Sequence, residues 1–426
     1  MKFNMTLLQN IDLPIIKLLK QISSCVSTDD VYVVGGFVRD ALLNIPNKDI
    51  DFVVVGNGIE FAKTVKETLH GDYIVTYNQF GTAKVGIGDL ELEFVGARSE
   101  KYSPNTRKPV VEDADLASDL SRRDFTINAM AMSIHPDSFG ECIDLFNGQE
   151  DLKNGVIRTP LDPFTTFTDD PLRIMRAIRF ATRFKYIIED TTYRAIKKTT
   201  SRLSIISYER ITEELKKTCA TQHPSEGLHT LHESGILAII LPEISRKTVL
   251  EAEVFFKNET VISWPFHWKL AYLFLEEGLN KIQIKAVLKR LKSSNEMIAQ
   301  IIYLSEFKLH TTTFLSEKLN PIKAKLFLYH AGKNYLELIQ FFGISAKNLH
   351  EVTRFLEHID TNTQFSLFEL ALNGEDIQKI LCIEKGRRIG ELKEKLTLAV
   401  LNEQVENTIT ELTHFLTQGL SDDRTC

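Results

Sequence analysis

Cysteine is scarce in this chain of 426 residues, and what there is does not pair. Cys25, Cys142, Cys219, Cys382 and Cys426 are odd in number, scattered, and form no C-x-x-C motif. That pattern argues against a disulfide framework and a zinc ribbon, and for a reducing cytoplasm. Long apolar runs are missing too; none approaches the roughly twenty residues that a membrane-spanning helix needs, so no membrane partner is expected. The apolar stretch within Met1–Asn10 is too short for a signal peptide. No internal repeat or low-complexity tract stands out, which argues against a solenoid. Basic residues are not in excess either: the formal net charge is −6. A nucleic-acid partner would therefore have to meet a local basic surface rather than a global one. The remainder is ordinary for a globular protein, 43% hydrophobic and 25% charged. Its length suits roughly two to four domains.

What is present centres on Val31–Val55, VYVVGGFVRDALLNIPNKDIDFVVV. Two β-branched apolar runs, Val31–Val34 and Ile50–Val55, flank Gly35-Gly36 and a helix-compatible segment, Phe37–Asn44. The pattern predicts strand, glycine turn, helix, turn, strand. Asp49 and Asp51 lie two apart, so an extended chain projects both carboxylates from one face. Paired carboxylates are costly to hold ionised unless something positive sits between them, and a divalent metal is the usual answer. The double glycine permits a tight turn that presents backbone N–H groups at a helix start, which suits a phosphate. Metal and phosphate together suggest phosphoryl or nucleotidyl transfer.

Around this core, Leu13, Ile16, Leu19 and Ile22 predict a leading amphipathic helix within residues 1–30. Gly58–Leu69 reads as helix, and Asp72–Tyr77, Ala83–Ile87 and Leu90–Val95 read as strands. In LELEFV, Leu90, Leu92 and Phe94 alternate with Glu91, Glu93 and Val95, so one face is buried and the other presents acids. Glu93 is a candidate third carboxylate beside the aspartate pair; a simply solvated Glu91 and Glu93 fit the same pattern. Ala97–Ser121 reads as a polar, irregular connection, and a connection that long is usually functional or disordered. SRRDFTINAMAMS follows, with Arg122, Arg123 and Asp124 ahead of Phe125–Met132, a run expected to pack behind the sheet. Adjacent arginines are more often solvated than ligating. Here, after metal-type acids, they point to triphosphate or ribose contacts.

Beyond Asn147-Gly148 the alternation ends, and nearly everything from Thr168 onward reads as helix. In DDPLRIMRAIRFATRF, Asp169 and Asp170 are placed to cap and Pro171 to begin a helix. Ile174, Ala177, Ile178, Ala181 and Phe184 then share one face, and Arg173, Arg176, Arg179 and Arg183 the opposite one. A solvated arginine face is the plain reading, but no glutamate stands at helical spacing to pair with it. SYERITEELKKTC predicts a further helix whose Glu209, Arg210, Glu213 and Glu214 brace its neighbours. Lys281–Lys292 reads as a basic amphipathic helix, Leu315–Tyr335 as helix, and EKGRRIGELKEKL as a basic turn suited to a phosphate backbone.

GGFVRD, DID, RRDFTINA, DDPLRIMRAIRF and ERITEEL, in this order, resemble the class II tRNA nucleotidyltransferases. These comprise the CCA-adding enzymes and the related bacterial poly(A) polymerases, within the DNA polymerase β superfamily. The resemblance spans roughly residues 30–215. It implies an α/β nucleotidyltransferase head with a mixed sheet and helices (residues 1–150). An all-α neck (151–235), body (236–345) and tail (346–426) would follow. It implies Mg2+ on Asp49 and Asp51, with Glu93 retained as the candidate third acid. Gly35, Gly36, Arg39 and Asp40 match the phosphate motif, and Arg122, Asp124 and Asn128 the ribose and triphosphate motif. Asp170 and Arg173 match the pair that reads the incoming base, with Arg176 and Arg179 beside them, and Glu209 and Arg210 the supporting helix. The loop that lets such enzymes switch from C to A addition would fall within Ala97–Ser121.

The implied partners are the tRNA 3′ end, CTP and ATP, and the implied reaction is CCA addition. A-only, CC-only and poly(A) addition are the alternatives on the same head. One departure stands out: WPFHWKLAYLFLEEGL carries no His-Asp pair, so no HD-type phosphohydrolase site is expected. The base-reading pair also makes chemical sense. Cytosine and adenine offer an amino donor beside a ring-nitrogen acceptor, which an aspartate acceptor and an arginine donor complement; uracil and guanine do not.

Overall fold

The leading helix α1 (Leu13–Ser23) buries Ile15, Leu18, Leu19 and Ile22, while Leu13, its first residue, stays 72% exposed. The structure is a computed structural model and describes residues 7–26, 30–103, 106–316, 318–343, 349–363, 369–384, 386–401 and 403–422. β1 (Asp30–Val34), α2 (Gly36–Leu42) and β2 (Ile50–Val55) form the expected strand–helix–strand unit, with the two strands antiparallel. After α3 (Gly58–Thr68) come β3 (Tyr73–Tyr77), β4 (Thr82–Ile87) and β5 (Leu90–Gly96). β5 runs parallel to β2 and sets Glu93 directly beside Asp51.

Two stretches differ from their sequence reading. Ala97–Ser121 is not irregular: it forms an antiparallel hairpin, β6 (Arg98–Ser103) with β7 (Thr106–Asp113), and then α4 (Leu116–Ser121). A two-stranded ribbon need not bury a face, so apolar alternation is not required to build it, and both of its strands are edges that tolerate Pro109. Phe125–Met132 does not merely pack behind the sheet, because β8 (Met130–Ser133) is one of its strands, paired with β1. Met130, Ala131 and Met132 are all 0% exposed, and a strand covered on both faces has no alternation to betray it. With β9 (Cys142–Asp144) the sheet is complete in the order β3-β4-β5-β2-β1-β8-β9.

Each face of this mixed sheet has its own cover. On one, Phe52 stacks on Phe94 at 4.6 Å between ring centroids, and Phe61 of α3 lies 5.7 Å from Phe94. On the other, Val34, Val53 and Ala131 pack with Ala97 and with Leu120 of α4. Asp51 alternates with Phe52, so it sits on this second face. The cluster thereby brings the end of α4, and the arginines that follow it, to the acids.

The chain continues through α5 (Gly148–Asn154), β10 (Val156–Ile157), α6 (Pro163–Asp169) and α7 (Leu172–Phe184). β11 (Ile187–Ile188), which pairs with β10, α8 (Asp190–Thr199) and α9 (Tyr208–Cys219) follow. α7 buries Ile174, Met175, Ala177 and Ile178 and leaves its arginines on the other side. The rest of the described chain is helical. Two compact units result, residues 1–279 with 286–293 and residues 280–285 with 294–426.

In the second unit, the single helix expected over Leu315–Tyr335 is divided. One helix ends at Ser316 and another starts at Pro321, where the Asn320 side chain accepts from the N–H groups of Ile322 and Lys323. Asn-Pro at cap and first turn is a strong start signal, and it overrides the apolar period here. Leu372, Ile377, Leu396 and Leu412 form a core near the end of this unit. The fold is an α/β sheet domain followed by helices. Among the described residues no helix is long and apolar enough to cross a membrane.

Candidate active site

A cleft of about 550 Å³ opens in the first unit between the sheet and α7. Its floor begins at Gly35, whose φ of +70° turns β1 into α2 and which donates its N–H to the Met130 carbonyl at 3.1 Å. That left-handed backbone disfavours any side chain, and a Cβ on Gly35 would stand 2.8 Å from Nη1 of Arg123. Asp49 and Asp51 lie beside this turn, both open to solvent. Although Asp51 keeps an exposed surface, the protein packed around its carboxyl displaces water, and that is the first cause lifting it above its ordinary range; the charge of Glu93 is the second. Arg123 and Lys84 oppose the rise and Asp49 adds to it. Glu93 itself stands 3.7 Å from Lys84 and is not among the residues lining the cleft. Among the described residues no group of three or more His, Cys, Asp or Glu side chains is arranged to hold a metal ion. Glu93 nevertheless stands beside Asp51 across the β2–β5 pairing, close enough for its charge to act on that carboxyl.

From the acids a hydrogen-bonded chain runs across the cleft. The Asp49 N–H donates to Asn47 Oδ1 at 2.8 Å, and Asn47 Nδ2 donates to Asp40 Oδ2 at 2.8 Å. Arg39, 4% exposed, donates from Nε to Asp40 Oδ1 at 2.8 Å and from Nη1 to Asn128 Oδ1 at 2.6 Å. Asn128 Nδ2 donates to Asp124 Oδ1 at 2.9 Å, and Arg176 Nε donates to Asp124 Oδ2 at 2.7 Å. Burial alone would raise the Asp124 carboxyl. The Arg176 charge and the bonds from Asn128 and Arg176 outweigh it and hold Asp124 at about 2. Arg39 and Asp40 are therefore spent inside the protein, where they order the groups on either side of them.

The opposite wall is the arginine face of α7. Arg179 donates to Glu214 of α9 at 2.6 Å, and Arg183 lies 3.8 Å from Asp40. Arg173 donates from Nη2 to the backbone carbonyl of Arg122 at 2.6 Å. Asp170, ahead of α7, accepts the N–H of Leu172 at 3.2 Å and so anchors the helix start. The guanidiniums of Arg39, Arg176 and Arg179 surround the Phe180 ring at 5.2, 5.4 and 4.2 Å from its centroid.

Of the site residues expected from the sequence, Glu93 and Glu209 do not line this cleft; the others do. Glu209 is exposed, and Glu214, one turn further along α9, is the acid that meets α7. The cleft also holds Asn47 and Phe180, which sequence reasoning had not placed there, and Arg210, expected only on the supporting helix. Phe180 did leave a signal, as an aromatic residue among arginines on the polar side of a helix.

Comparison with known proteins adds to this geometry. Residues 31–158 match the poly(A) polymerase head domain, residues 185–248 an RNA and SrmB-binding site of polymerase A, and residues 267–416 a tRNA nucleotidyltransferase domain 2. The chain is 37% identical over 217 residues to the A-adding tRNA nucleotidyltransferase of Halalkalibacterium halodurans, covering 50% of each protein. It is 31% identical over 395 residues to the CCA-adding enzyme of Enterococcus faecalis, covering 89% of each. The solved structure of the Thermotoga maritima CCA-adding enzyme complexed with tRNA superposes with a TM-score of 0.68 at 28% identity, covering 97% of this chain and 98% of that one. The match thus spans half the length of the A-adding relative and most of the length of the two CCA-adding ones.

Proposed function

This chain belongs to the family of tRNA nucleotidyltransferases that includes the CCA-adding enzymes, and on that premise we propose that it adds C, C and A to tRNA 3′ ends. CTP and ATP are the donors, and pyrophosphate leaves. One observation carries this reading: a single cleft joins a carboxylate pair, an arginine wall and the Asp170–Arg173 edge. The donor set fits a hard cation, because Mg2+ is commonly held by one or two carboxylates together with substrate phosphates. When bound at Asp49 and Asp51, Mg2+ would polarise the RNA 3′-hydroxyl and neutralise charge on the departing pyrophosphate.

The chain's own residues do the rest. The Gly35 turn leaves room for a triphosphate to approach the backbone, and Arg122 and Arg123 supply planar donors to its oxygens. Asp124, Asn128 and Arg39 hold their bonds before substrate arrives, so the ribose side meets an ordered surface. Asp170 and Arg173 offer the acceptor and donor that complement C and A. A uracil or guanine there would leave polar groups unpaired, at a cost of about 1–3 kcal/mol. The protein thus acts as its own template.

We assign residues 1–150 to the head, 151–235 to the neck, 236–345 to the body and 346–426 to the tail, with the last two offering surface to tRNA. A cytoplasmic setting suits the substrate and the cysteines. Burial pushes the Cys142 thiol up to about 12 and the Cys219 thiol up to about 11, so neither is poised to react.

The test gives purified protein three tRNAs, ending before CCA, after C and after CC, with CTP, ATP or both. Full-length CCA on all three supports the proposal; extension of only the CC-ending tRNA overturns it in favour of A-only addition. That second reading is the one the Halalkalibacterium halodurans relative favours.

A further inference from the structure

We propose that Asp119, which no step above uses, is the positioning residue that sets the triphosphate-side and base-side guanidiniums of the cleft together. This inference rests on the function proposed above. Asp119 lies on α4 and is 0% exposed, although α4 itself is a short surface segment of six residues. Both of its oxygens are engaged by arginines. Oδ1 accepts from Arg122, through Nε at 3.2 Å and through Nη2. Oδ2 accepts from Arg123, through Nη2 at 3.0 Å and Nε at 3.3 Å. Burial by itself would raise this carboxyl; Arg123 and Arg122 reverse that and leave it below the ordinary range, an ionised anchor.

From that anchor two lines of contact diverge. Through Arg123 one reaches Nη1 over Gly35 and the electrostatic field at Asp51. Through Arg122 the other passes to its backbone carbonyl, which accepts Nη2 of Arg173 at 2.6 Å. Arg122 and Arg123 side chains are only 20% and 19% exposed, so the cleft sees guanidiniums oriented by the buried carboxylate, with Arg122 Nε also donating to the Arg98 carbonyl at 2.9 Å. A bidentate fork has direction as well as charge, so moving the carboxylate turns the donors. Asp119 therefore influences how tightly nucleotide binds and also which base Arg173 accepts.

The experiment compares wild type with Asp119→Asn and Asp119→Glu in single-nucleotide incorporation on tRNAs ending before CCA and after CC, with CTP, ATP, UTP and GTP in turn. The assays run well below each variant's melting temperature, and tRNA affinity is measured in parallel. Asp119→Asn is expected to raise the nucleotide KM roughly tenfold or more, and to raise UTP and GTP use relative to CTP and ATP, with tRNA affinity unchanged. Asp119→Glu, which keeps the charge but displaces it, should shift both in the same direction by less. A merely structural residue would lower the melting temperature and leave the base ratio alone, so a folded Asp119→Asn with wild-type KM and base ratio overturns the proposal. Should Asp119→Asn not fold, wild-type KM and base ratio in Asp119→Glu overturn it instead. Wild-type protein that incorporates no nucleotide refutes the proposed function, a failure distinct from that of the Asp119 assignment.

Discussion

On the helix wall of the cleft, Arg176 and Arg179 each meet a carboxylate supplied from a distant part of the chain, Asp124 and Glu214. On the strand wall, Asp49 and Asp51 meet each other and Glu93, with Arg123 and Lys84 as partial relief. The helix wall is balanced within the protein and held in one arrangement before any ligand arrives. The strand wall is left with a surplus of negative charge, which a divalent cation can relieve. The function proposed above assigns transfer to the unbalanced wall and selection to the ordered one. A paired guanidinium can read a base edge without first moving, whereas paired carboxylates gain most from an ion brought in with substrate.

The largest effect should come from the strand wall. Asp51→Asn is expected to lower nucleotide incorporation on the order of 10³-fold, while tRNA affinity stays near wild type. Because the variant removes a carboxylate from beside two others, its melting temperature should be no lower than that of wild type. A variant that both fails in transfer and melts early would erase the contrast between the walls. The helix wall should behave oppositely. Glu214→Ala strands Arg179, whose side chain is 13% exposed, and should cost about 3 kcal/mol of unfolding free energy in urea titrations of the first unit's transition.

A smaller effect is expected from pH. Asp124 sits at about 2 in the folded protein against an ordinary 3.8, so the stability it contributes is complete above the ordinary value. That contribution is lost as pH falls through the folded value, and it amounts to about 2 kcal/mol. The stability gap between wild type and Asp124→Asn should therefore narrow as pH drops from roughly 5 toward 2. A gap that stayed constant over that range would mean that Arg176 and Asn128 do not hold the carboxylate ionised.

The same contrast explains what could be read from residues alone. Arg173, Arg176, Arg179 and Arg183 declared themselves because a helix repeats every 3.6 residues, and Asp49 and Asp51 because a strand repeats every two. Their partners did not, since Asp124 stands 52 residues from Arg176 and Glu214 stands 35 from Arg179. Pairings of that kind are created by tertiary packing, and no local period encodes them. Asp119 stayed hidden for a related reason: in the sequence it is an acid in a polar stretch, and only the docking of Leu120 against Val34 and Val53 buries it. The hairpin within Ala97–Ser121 and the strand Met130–Ser133 were missed because neither shows one-sided alternation. Resemblance to a family named residues that the structure gathers into one cleft; Glu93, 3.7 Å from Lys84, is not among the lining residues but stands beside Asp51 on the adjacent strand.

The most direct test of the division between transfer and selection is nucleotide choice in Asp170→Ala, measured as initial incorporation of each of the four nucleotides on a tRNA ending before CCA, where C is the correct base, and on one ending in CC, where A is. If selection resides in the Asp170–Arg173 edge, transfer persists and the preference for C and A over U and G falls roughly tenfold or more. Transfer that persists with the wild-type preference intact would contradict the account.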